Sequence, residues 1–506
     1  MSSAMSKALE LPEILLRVGP SLIKKKDIVA CLSVCKTWKA VFEPFLWREF
    51  RALPDIPPPL ALMELNAEHI RKLTIEQIDA DMETFRRNCT RLIDLSMSAD
   101  NLDEVSWDMF ANMIRNHASL RRIFIHCRSP LVPPKHFLQA LKSCQRLAVF
   151  ETDYCNYDKE TFPYYLDGCA GLWRLSAEGD RFPIQESFPA GVAFPEMRYM
   201  ELCDCRGMTI EQQLEWISRC PKLISIRLEC SNIPVSLFCE KIPSACTNLT
   251  DLHFLVEIND EPLSRIIDAL PRIEKLTLTM TGFGTRSMNS LRRHFATLRD
   301  INIQYCTSAT PAMVQEILAS CPKLQGICAD YINADAIGPS QPWVCTHLQM
   351  FDVHIRVRNS ASLHTHRTVY QQLSLLQDLQ YLSICSPNPS DLNIPHLRFT
   401  LEYGVELLTE FPKLTYFSCK WILGAKGSRD METVQWIMTH WPRLETFEAV
   451  PVGNQWFFLE SLPARVQFED FNTQLEDYDD SPYNSDYDEL DDNDEWQSMT
   501  WHTDDA

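Results

Sequence analysis

The stretch "RCPKLISIRL" (residues 219–228) returns in variant form along most of the chain and decides the fold. Close variants are "ACTNLTDLHF" (245–254), "SCPKLQGICA" (320–329) and "HWPRLETFEA" (440–449). In each of them an apolar residue, here called the anchor, follows a Pro-Lys-like pair, and further apolar residues come three and five positions later. The four stretches share one phase, which indicates an internal repeat.

The anchors follow one another at a nearly constant interval. Thirteen intervals join residue 92 to residue 444, a mean of about 27 residues. Of the 28 positions that lie three and five residues after an anchor, only Thr152 is not apolar, although the whole chain is 45% hydrophobic. The anchors are Leu92, Leu120, Leu147, Leu172, Met197, Leu223, Leu249, Ile273, Leu298, Leu324, Leu348, Leu379, Leu414 and Leu444.

The spacing L-x-x-L-x-L is typical of a short strand whose alternate side chains enter a core. Helical stretches precede many anchors, as in "PAMVQEILASC" (311–321). The pattern resembles leucine-rich repeats of the cysteine-containing type over about residues 69–450, and it predicts an α/β solenoid of about 14–15 repeats, including a short first unit at "HIRKLTI" (69–75). The wider last intervals predict rim insertions at 356–372 and 385–399.

Ten of the nineteen cysteines occupy two repeat positions. The repeat predicts that they are small, buried apolar side chains rather than disulfide partners or metal ligands. Seven lie three residues before an anchor and three lie eight residues after one: Cys89, Cys144, Cys169, Cys220, Cys246, Cys321 and Cys345, then Cys155, Cys205 and Cys306.

The segment before the repeats, "LELPEILLRVGPSLIKKKDIVACLSVCKTWKAVFEPFLWREF" (9–50), resembles an F-box. The resemblance rests on a Leu-Pro-x-x-Ile-Leu-like start, with the Ile shifted by one, a Val-Cys-Lys-x-Trp core and a closing Leu-Trp. It implies a small domain of three helices that docks on a Skp-type adaptor and, through it, on a cullin ubiquitin ligase. The adaptor-binding residues that it implies are Leu11, Pro12, Ile14, Leu15, Leu32, Val34, Cys35, Trp38, Leu46 and Trp47.

The apolar residues of this segment are consistent with two packing arrangements. Pro12 fits the first turn of a helix and Asp27 fits an N-cap. About 40 residues cannot bury so many apolar groups alone, so a partner is expected to cover them. Alternatively, Trp38 and Trp47 pack on the first repeats. Gly19 and the proline after it move the helix break away from the F-box pattern.

The charge of the chain is concentrated at its end. The net charge is −20, yet fifteen acidic residues and no Lys or Arg lie in 469–506, which predicts a disordered acidic tail. Solvent-facing strand positions carry eleven acids and five bases, so the concave face is predicted to be acidic. Asp251, Asp300 and Asp330 are the tentative target-binding residues of this face, for a basic partner. The alternative is an ordinary solvent-exposed face whose charge only reflects the composition of the chain. A nucleic-acid partner would need a basic face, and none is expected.

The sequence contains none of the common catalytic or cofactor-binding motifs that we looked for in it. It holds no phosphate-binding glycine motif, no G-x-S-x-G and no H-E-x-x-H. We therefore expect no catalytic residue, metal or cofactor. No stretch reads as a signal peptide or a membrane span, which favours a cytoplasmic or nuclear protein with reduced thiols.

These observations predict five segments: a disordered leader (1–8), an F-box (9–50), a linker (51–68), a solenoid (69–468) and the acidic tail (469–506). The function that the resemblance implies is substrate recognition within a Skp/cullin/F-box ubiquitin ligase. The alternative is a leucine-rich scaffold that binds a partner without promoting ubiquitination.

Overall fold

The computed structural model describes residues 11–470 apart from short gaps. The predicted leader, and the acidic tail beyond residue 470, lie outside the described residues. The gaps are 20–21, 23–24, 53–63, 77–88, 99–103, 185–187, 190, 230–232, 256, 339–340, 359–361, 385–396, 420–427 and 450–465.

The chain begins with a unit of three short helices, residues 11–46, here called the helical unit. Its own core consists of Leu15, Ile28 and Phe42. Gly19 ends the first helix against the ring of Phe45, where a Cβ atom would collide with the aromatic carbons. The helices are α1 (Pro12–Val18), α2 (Lys25–Leu32) and α3 (Lys36–Leu46).

The starts of two helices test the capping predictions. Pro12 occupies the first turn of α1, as predicted. The prediction that Asp27 caps α2 is wrong, because that helix already begins at Lys25 and Asp27 lies within its first turn. A carboxylate there still interacts favourably with the helix dipole.

Seventeen parallel strands form one sheet, and each strand pairs with the next along the chain. From β3 to β16 every strand starts two residues after a predicted anchor. The strands are β1 (Glu49–Ala52), β2 (Lys72–Ile75), β3 (Asp94–Ser98), β4 (Arg122–Leu131), β5 (Val149–Cys155), β6 (Arg174–Glu178), β7 (Tyr199–Cys203), β8 (Ser225–Glu229), β9 (Asp251–Leu255), β10 (Lys275–Thr279), β11 (Asp300–Asn302), β12 (Gly326–Asn333), β13 (Met350–Arg356), β14 (Tyr381–Ser383), β15 (Tyr416–Cys419), β16 (Thr446–Ala449) and β17 (Gln467–Asp470).

Helices cover the convex side of this sheet. Thr209 caps α7 with a reciprocal capping box, and Thr310 and Ser362 cap α11 and α12 through their hydroxyl oxygens. The helices are α4 (Glu104–Asn116), α5 (Lys135–Ser143), α6 (Phe162–Cys169), α7 (Ile210–Ile217), α8 (Val235–Ala245), α9 (Asp260–Ala269), α10 (Thr285–Leu291), α11 (Pro311–Ser320), α12 (Leu363–Leu373) and α13 (Ser428–His440). Single 3-10 turns replace a helix in other repeats, as at Ala334–Ala336.

The predicted α/β solenoid is confirmed, since all fourteen anchors and the residues three positions after them are buried in one continuous core. Its boundaries were predicted wrongly. The solenoid begins at Glu49 instead of residue 69, because strand β1 pairs with β2. At the other end, β17 extends to Asp470 and so takes in the first two residues of the predicted tail.

The predicted rim insertion at 356–372 is also wrong for most of its length. Residues 363–373 form helix α12, whose Tyr370 is fully buried and donates a hydrogen bond from its hydroxyl to the carbonyl oxygen of Arg398 at 2.8 Å. This segment is the ordinary helix of its repeat, lengthened by a loop. Most of the second predicted insertion, 385–396, lies outside the described residues.

The one polar exception to the repeat pattern, Thr152, has a buried partner. Its hydroxyl donates a hydrogen bond to the Asp180 carboxyl at 2.5 Å, and the backbone N–H of Cys155 donates to the other oxygen of that carboxyl at 2.8 Å. Asp180 lies eight residues after an anchor, a position that holds cysteine in three other repeats. Burial raises the pKa of Asp180 to about 8, so the carboxyl is mainly protonated at neutral pH.

The helix-end cysteines are buried, as predicted. Burial raises the pKa of Cys89 and Cys246 to about 12, which disfavours the reactive thiolate. The Sγ of Cys246 donates to the carbonyl oxygen of Ile217 in the preceding repeat at 3.3 Å. Of the three cysteines eight residues after an anchor, Cys155 and Cys306 are buried and Cys205 is half-buried.

Candidate protein-binding surfaces

The helical unit exposes more large apolar side chains than its core contains. Among its described residues three apolar side chains are buried, whereas six large aliphatic side chains are exposed, with Val34 the most open at 57%. Leu11, Ile14 and Val18 follow one another at intervals of three and four, which places them on one side of α1. The six are Leu11, Ile14, Leu16, Val18, Val29 and Val34. We call them the exposed apolar surface.

The ten predicted adaptor-binding residues divide into four groups. Leu11, Pro12, Ile14, Val34 and Cys35 are exposed, and Leu32, Trp38 and Leu46 are half-buried beside the core of the helical unit. Leu15 is only 1% exposed, so it holds the three helices together and no partner reaches it in this arrangement. The last residue, Trp47, packs on the solenoid.

The two tryptophans therefore pack against different parts of the molecule. Trp38 packs in the helical unit, with its ring 5.4 Å from that of Phe42. Trp47 stacks on Phe50 at 6.1 Å, and both residues pack against the solenoid core. The alternative in which both pack on the repeats is wrong for Trp38. Sequence reasoning missed Leu16, Val18 and Val29, because the F-box pattern does not mark them.

The first half of the concave face is a chain of alternating charges. Arg122 lies between Asp94, at 3.6 Å, and Glu151, at 2.5 Å. Arg174 continues the row from Glu151, at 3.5 Å, to Glu201, at 3.2 Å. These pairs lie on neighbouring strands, so the excess of acids counted in the sequence is partly neutralised within the sheet.

The three tentative target-binding acids have internal partners. Asp251 accepts a hydrogen bond from the Thr250 hydroxyl at 2.8 Å, and burial raises its pKa to about 6. Asp300 lies 3.5 Å from the Lys275 ammonium. Asp330 accepts the backbone N–H of Tyr305 at 2.9 Å. Their carboxylates therefore bind polar groups of the solenoid itself, which weakens the prediction of a strongly acidic target surface.

In the second half of the concave face, strands β13 to β16 carry fewer charged side chains than the first strands do, with Asp352 and Glu448 as the acids at their solvent-facing positions. Tyr381 and Tyr416 stack in parallel with ring centroids 4.2 Å apart, and the Tyr416 hydroxyl donates a hydrogen bond to the Glu448 carboxylate. Met350 lies beside Tyr381 in the same row, on the preceding strand. This half offers aromatic and apolar area, which protein interfaces favour.

A row of left-handed residues marks the edge where the strands end. Tyr154, Asp204, Met280 and Tyr305 have φ between 44° and 60°, and each lies seven residues after an anchor. The equivalent residue in another repeat is Gly179, with φ 63°. The position needs a left-handed backbone, which costs a non-glycine residue roughly 1–2 kcal/mol.

Met280 and Tyr305 stand out in this row. They lie in adjacent repeats and are 67% and 54% exposed, so packing does not offset their backbone cost. The bond from the Tyr305 N–H to Asp330 holds that turn in place. Unfavourable backbone geometry at an exposed apolar side chain is found at binding sites. Gly179 was the sequence signal for this position, and only the structure shows which side chains it presents.

Within residues 11–470 as described, no three His, Cys, Asp or Glu side chains are grouped closely enough to hold a metal ion. In the same part of the chain, no helix has both the length and the hydrophobicity that crossing a bilayer requires.

Comparison with known proteins adds only distant structural similarities. No protein-family model and no curated protein matches the chain. The complex of Rad7 and Elc1 from yeast matches with a TM-score of 0.42 at 11% identity, covering 94% of this chain and 96% of the other.

Two bacterial structures are similar at the same distance. An internalin of Listeria monocytogenes matches with a TM-score of 0.38 at 12% identity, covering 70% and 88% of the two chains. A leucine-rich repeat protein of Leptospira interrogans matches with 0.37 at 12%, covering 81% and 98%. All three TM-scores are below 0.5, so these similarities carry no argument about function.

Proposed function

We propose that this chain is a non-enzymatic substrate receptor of a Skp/cullin/F-box ubiquitin ligase. In this proposal the helical unit docks on a Skp-type adaptor and the solenoid holds a target protein, while the partners carry out ubiquitin transfer. The observation that carries the proposal is the exposed apolar surface on a unit whose described residues include three buried apolar side chains. Complete burial of a fully exposed aliphatic side chain is worth about 1.5–3 kcal/mol, and each of these six, 36–57% exposed, would gain a part of that under a partner.

The exposed apolar surface is also where the F-box resemblance places adaptor contacts. Leu11, Ile14 and Val34 belong to both sets. The half-buried Trp38 supports the surface from behind, because its ring lies against Phe42. We infer that the adaptor covers the exposed apolar surface. It does not touch Trp47, whose ring packs on the solenoid.

The target is proposed to bind at the edge where the strands end and on the second half of the concave face. Met280 and Tyr305 supply exposed apolar area at the edge where the strands end, and Tyr381 and Tyr416 supply a stacked aromatic surface on β14 and β15. The ion pairs of the first half make that region less available, since a target would have to replace Arg122–Glu151 contacts.

Adaptor docking is tested by Leu11→Glu combined with Val34→Glu, in chains co-expressed with a Skp-type adaptor. Both side chains are exposed, so the fold should remain while co-purification falls at least tenfold, because losing two buried interface contacts costs 1.4 kcal/mol or more. Ile184→Glu is the matched control, a 77% exposed aliphatic residue of the solenoid. Unchanged adaptor binding in the double variant would contradict the docking assignment.

Target binding is tested by Met280→Asp combined with Tyr305→Asp, compared with the helix-surface control Val105→Asp. Quantitative mass spectrometry of co-purifying proteins should show a set that the double variant loses while the adaptor stays. Reconstituted ubiquitin transfer to that set then separates a ligase receptor from a scaffold. Loss of the adaptor together with the set would contradict the proposal that the helical unit binds the adaptor and the solenoid binds the target.

A further inference from the structure

The edge where the strands begin carries a row of positive side chains. It is formed by the Arg and Lys residues directly before or directly after an anchor, here called the basic rim. All ten are exposed, and four acids occupy equivalent positions: Glu196, Glu274, Asp378 and Glu445. The ten are Arg91, Arg121, Arg146, Arg198, Lys222, Arg272, Arg299, Lys323, Lys413 and Arg443.

An open cavity of about 410 Å³ interrupts the basic rim near its middle. Arg198, Lys222 and Arg272 line it, together with the polar side chains of Thr247 and Asn248. These residues come from four consecutive repeats. The cavity therefore offers cationic and neutral hydrogen-bond donors to a single ligand segment.

The charges of this cavity are only partly neutralised. Lys222 pairs with Glu196 at 2.7 Å, and Arg272 pairs with Glu274 at 2.5 Å. For Arg198, the described residues provide no carboxylate within ion-pairing distance. An exposed guanidinium beside two weakly held pairs is a favourable site for an anionic chain.

The basic rim differs from the concave face in this respect. On the concave face Arg122, Arg174 and Lys275 pair with carboxylates on neighbouring strands, and among the described residues only Arg227 of that face has no ion-pair partner. On the basic rim, five further bases have no ion-pair partner among the residues that the structure describes, namely Arg91, Arg121, Arg146, Lys323 and Arg443. Uncompensated positive charge is thus concentrated along one edge.

We propose that the acidic C-terminal segment of the same chain, residues 471–506, binds along the basic rim. This segment contains thirteen Asp and Glu residues and no Lys or Arg. Residues 486–495, "DYDELDDNDE", contain seven of those acids and occupy the Arg198–Lys222–Arg272 cavity. The concave face is not the site, because Arg122, Arg174 and Lys275 there are already paired with carboxylates on neighbouring strands.

The length of chain permits this placement. The described part ends at Asp470 in β17, nine strands from β8, whose repeat borders the cavity. Strands are about 4.8 Å apart, so nine strands span about 43 Å, and the cavity lies about 20 Å from the level of Asp470 in the strand direction, which makes the straight-line separation about 47 Å. Residues 471–485 span up to about 50 Å when extended at 3.3 Å per residue, which brings residue 486 to the cavity.

Carbodiimide cross-linking of the full chain, read by mass spectrometry, tests the proposal. The reagent joins a carboxylate to a lysine that it contacts, and Lys222 and Lys323 report on the basic rim. At 0.01 M salt we expect both to cross-link to residues of 471–506, and at 1 M salt, where the Debye length falls from about 30 Å to 3 Å, the yield should collapse. Lys135 and Lys142 on α5 are the internal controls and should not cross-link to the segment.

A matched pair of variants sharpens the result. Arg198→Gln with Arg272→Gln leaves Lys222 as reporter and should lower its cross-link yield about fivefold, as expected for losing two surface ion pairs. Arg265→Gln with Arg286→Gln, on the helical side, should leave the yield unchanged. Equal yields at Lys222 and Lys142, no salt effect, or no loss in the Arg198 variant would overturn the proposal.

A mixture of ordinary and ¹⁵N-labelled chains distinguishes binding within one chain from binding between chains. Cross-links that join only peptides of the same isotope support the proposal. Mixed-isotope cross-links as the main product would overturn it in favour of an intermolecular contact. None of these measurements involves the adaptor, so their outcome is independent of the ligase proposal.

Discussion

The helical unit and the solenoid differ in how far they bury their apolar side chains. The solenoid buries all fourteen anchors, together with the residues three positions after them, in one continuous core. The helical unit buries Leu15, Ile28 and Phe42 and leaves six large aliphatic side chains exposed. Each repeat is covered by its neighbours, whereas no described residue covers the outer side of the helical unit. This difference is the reason for proposing that a partner completes the helical unit.

The same contrast holds for polar groups. Inside the solenoid, Asp180 is bonded to Thr152 and Cys155, and Asp330 is bonded to the Tyr305 amide. Polar groups that leave water must find partners in the protein, and here the partners come from adjacent repeats. The solenoid is therefore sensitive to changes at its buried positions, and the helical unit is tolerant at its exposed ones.

The largest effect should come from Trp216→Ala in the solenoid. The Trp216 ring is fully buried among Tyr165, Phe182, Phe188 and Phe194. Its removal should lower the free energy of unfolding by about 3–5 kcal/mol in urea titrations. Val34→Ala in the helical unit should change it by less than about 0.5 kcal/mol. Equal costs would erase the contrast between the two regions.

A smaller effect, and one that depends on pH, should come from Asp180. Its pKa is raised to about 8 by burial, so the folded carboxyl loses its proton between pH 7 and 9 while the unfolded one is already ionised. The free energy of unfolding should therefore fall by about 1.4 kcal/mol over that range, and Asp180→Asn should abolish this part of the fall. Asp204→Asn, at an exposed turn, is the control. A fall that persists in Asp180→Asn would show that the carboxyl is ionised throughout.

The smallest effect concerns Asp330. Asp330→Ala removes the acceptor of the Tyr305 N–H and should cost about 1 kcal/mol in urea unfolding, the usual value of one hydrogen bond. The exposed Glu257→Ala should cost less than about 0.5 kcal/mol. If the two variants were equally stable, Asp330 would be a free surface acid after all, and the prediction of an acidic target surface would regain weight.

Periodicity made the solenoid predictable. Each anchor must be apolar because the preceding and following repeats cover it, so the requirement repeats with every unit and is visible in a single sequence. The edges of the solenoid were not predictable in this way. Strands β1 and β17 have no helix-and-anchor pattern of their own, and they join the sheet because its end strands offer unpaired backbone groups.

The candidate surfaces were predictable only in part. The F-box resemblance indicated Leu11, Ile14 and Val34, which are exposed. It did not distinguish Leu15, which is buried, because both kinds of residue are apolar and belong to one short motif. A count of acids at the solvent-facing strand positions suggested an acidic concave face, but such a count contains no distances, and only the structure shows Arg122 between two carboxylates.

Hydrogen–deuterium exchange of the full chain, with and without a Skp-type adaptor, tests the central claim most directly. The claim is that the helical unit is the incomplete region and that a partner completes it. We expect the adaptor to slow exchange in residues 11–46 and to leave the strands from β3 to β16 unchanged. Protection confined to the solenoid, or no protection in residues 11–46 at saturating adaptor, would contradict the account.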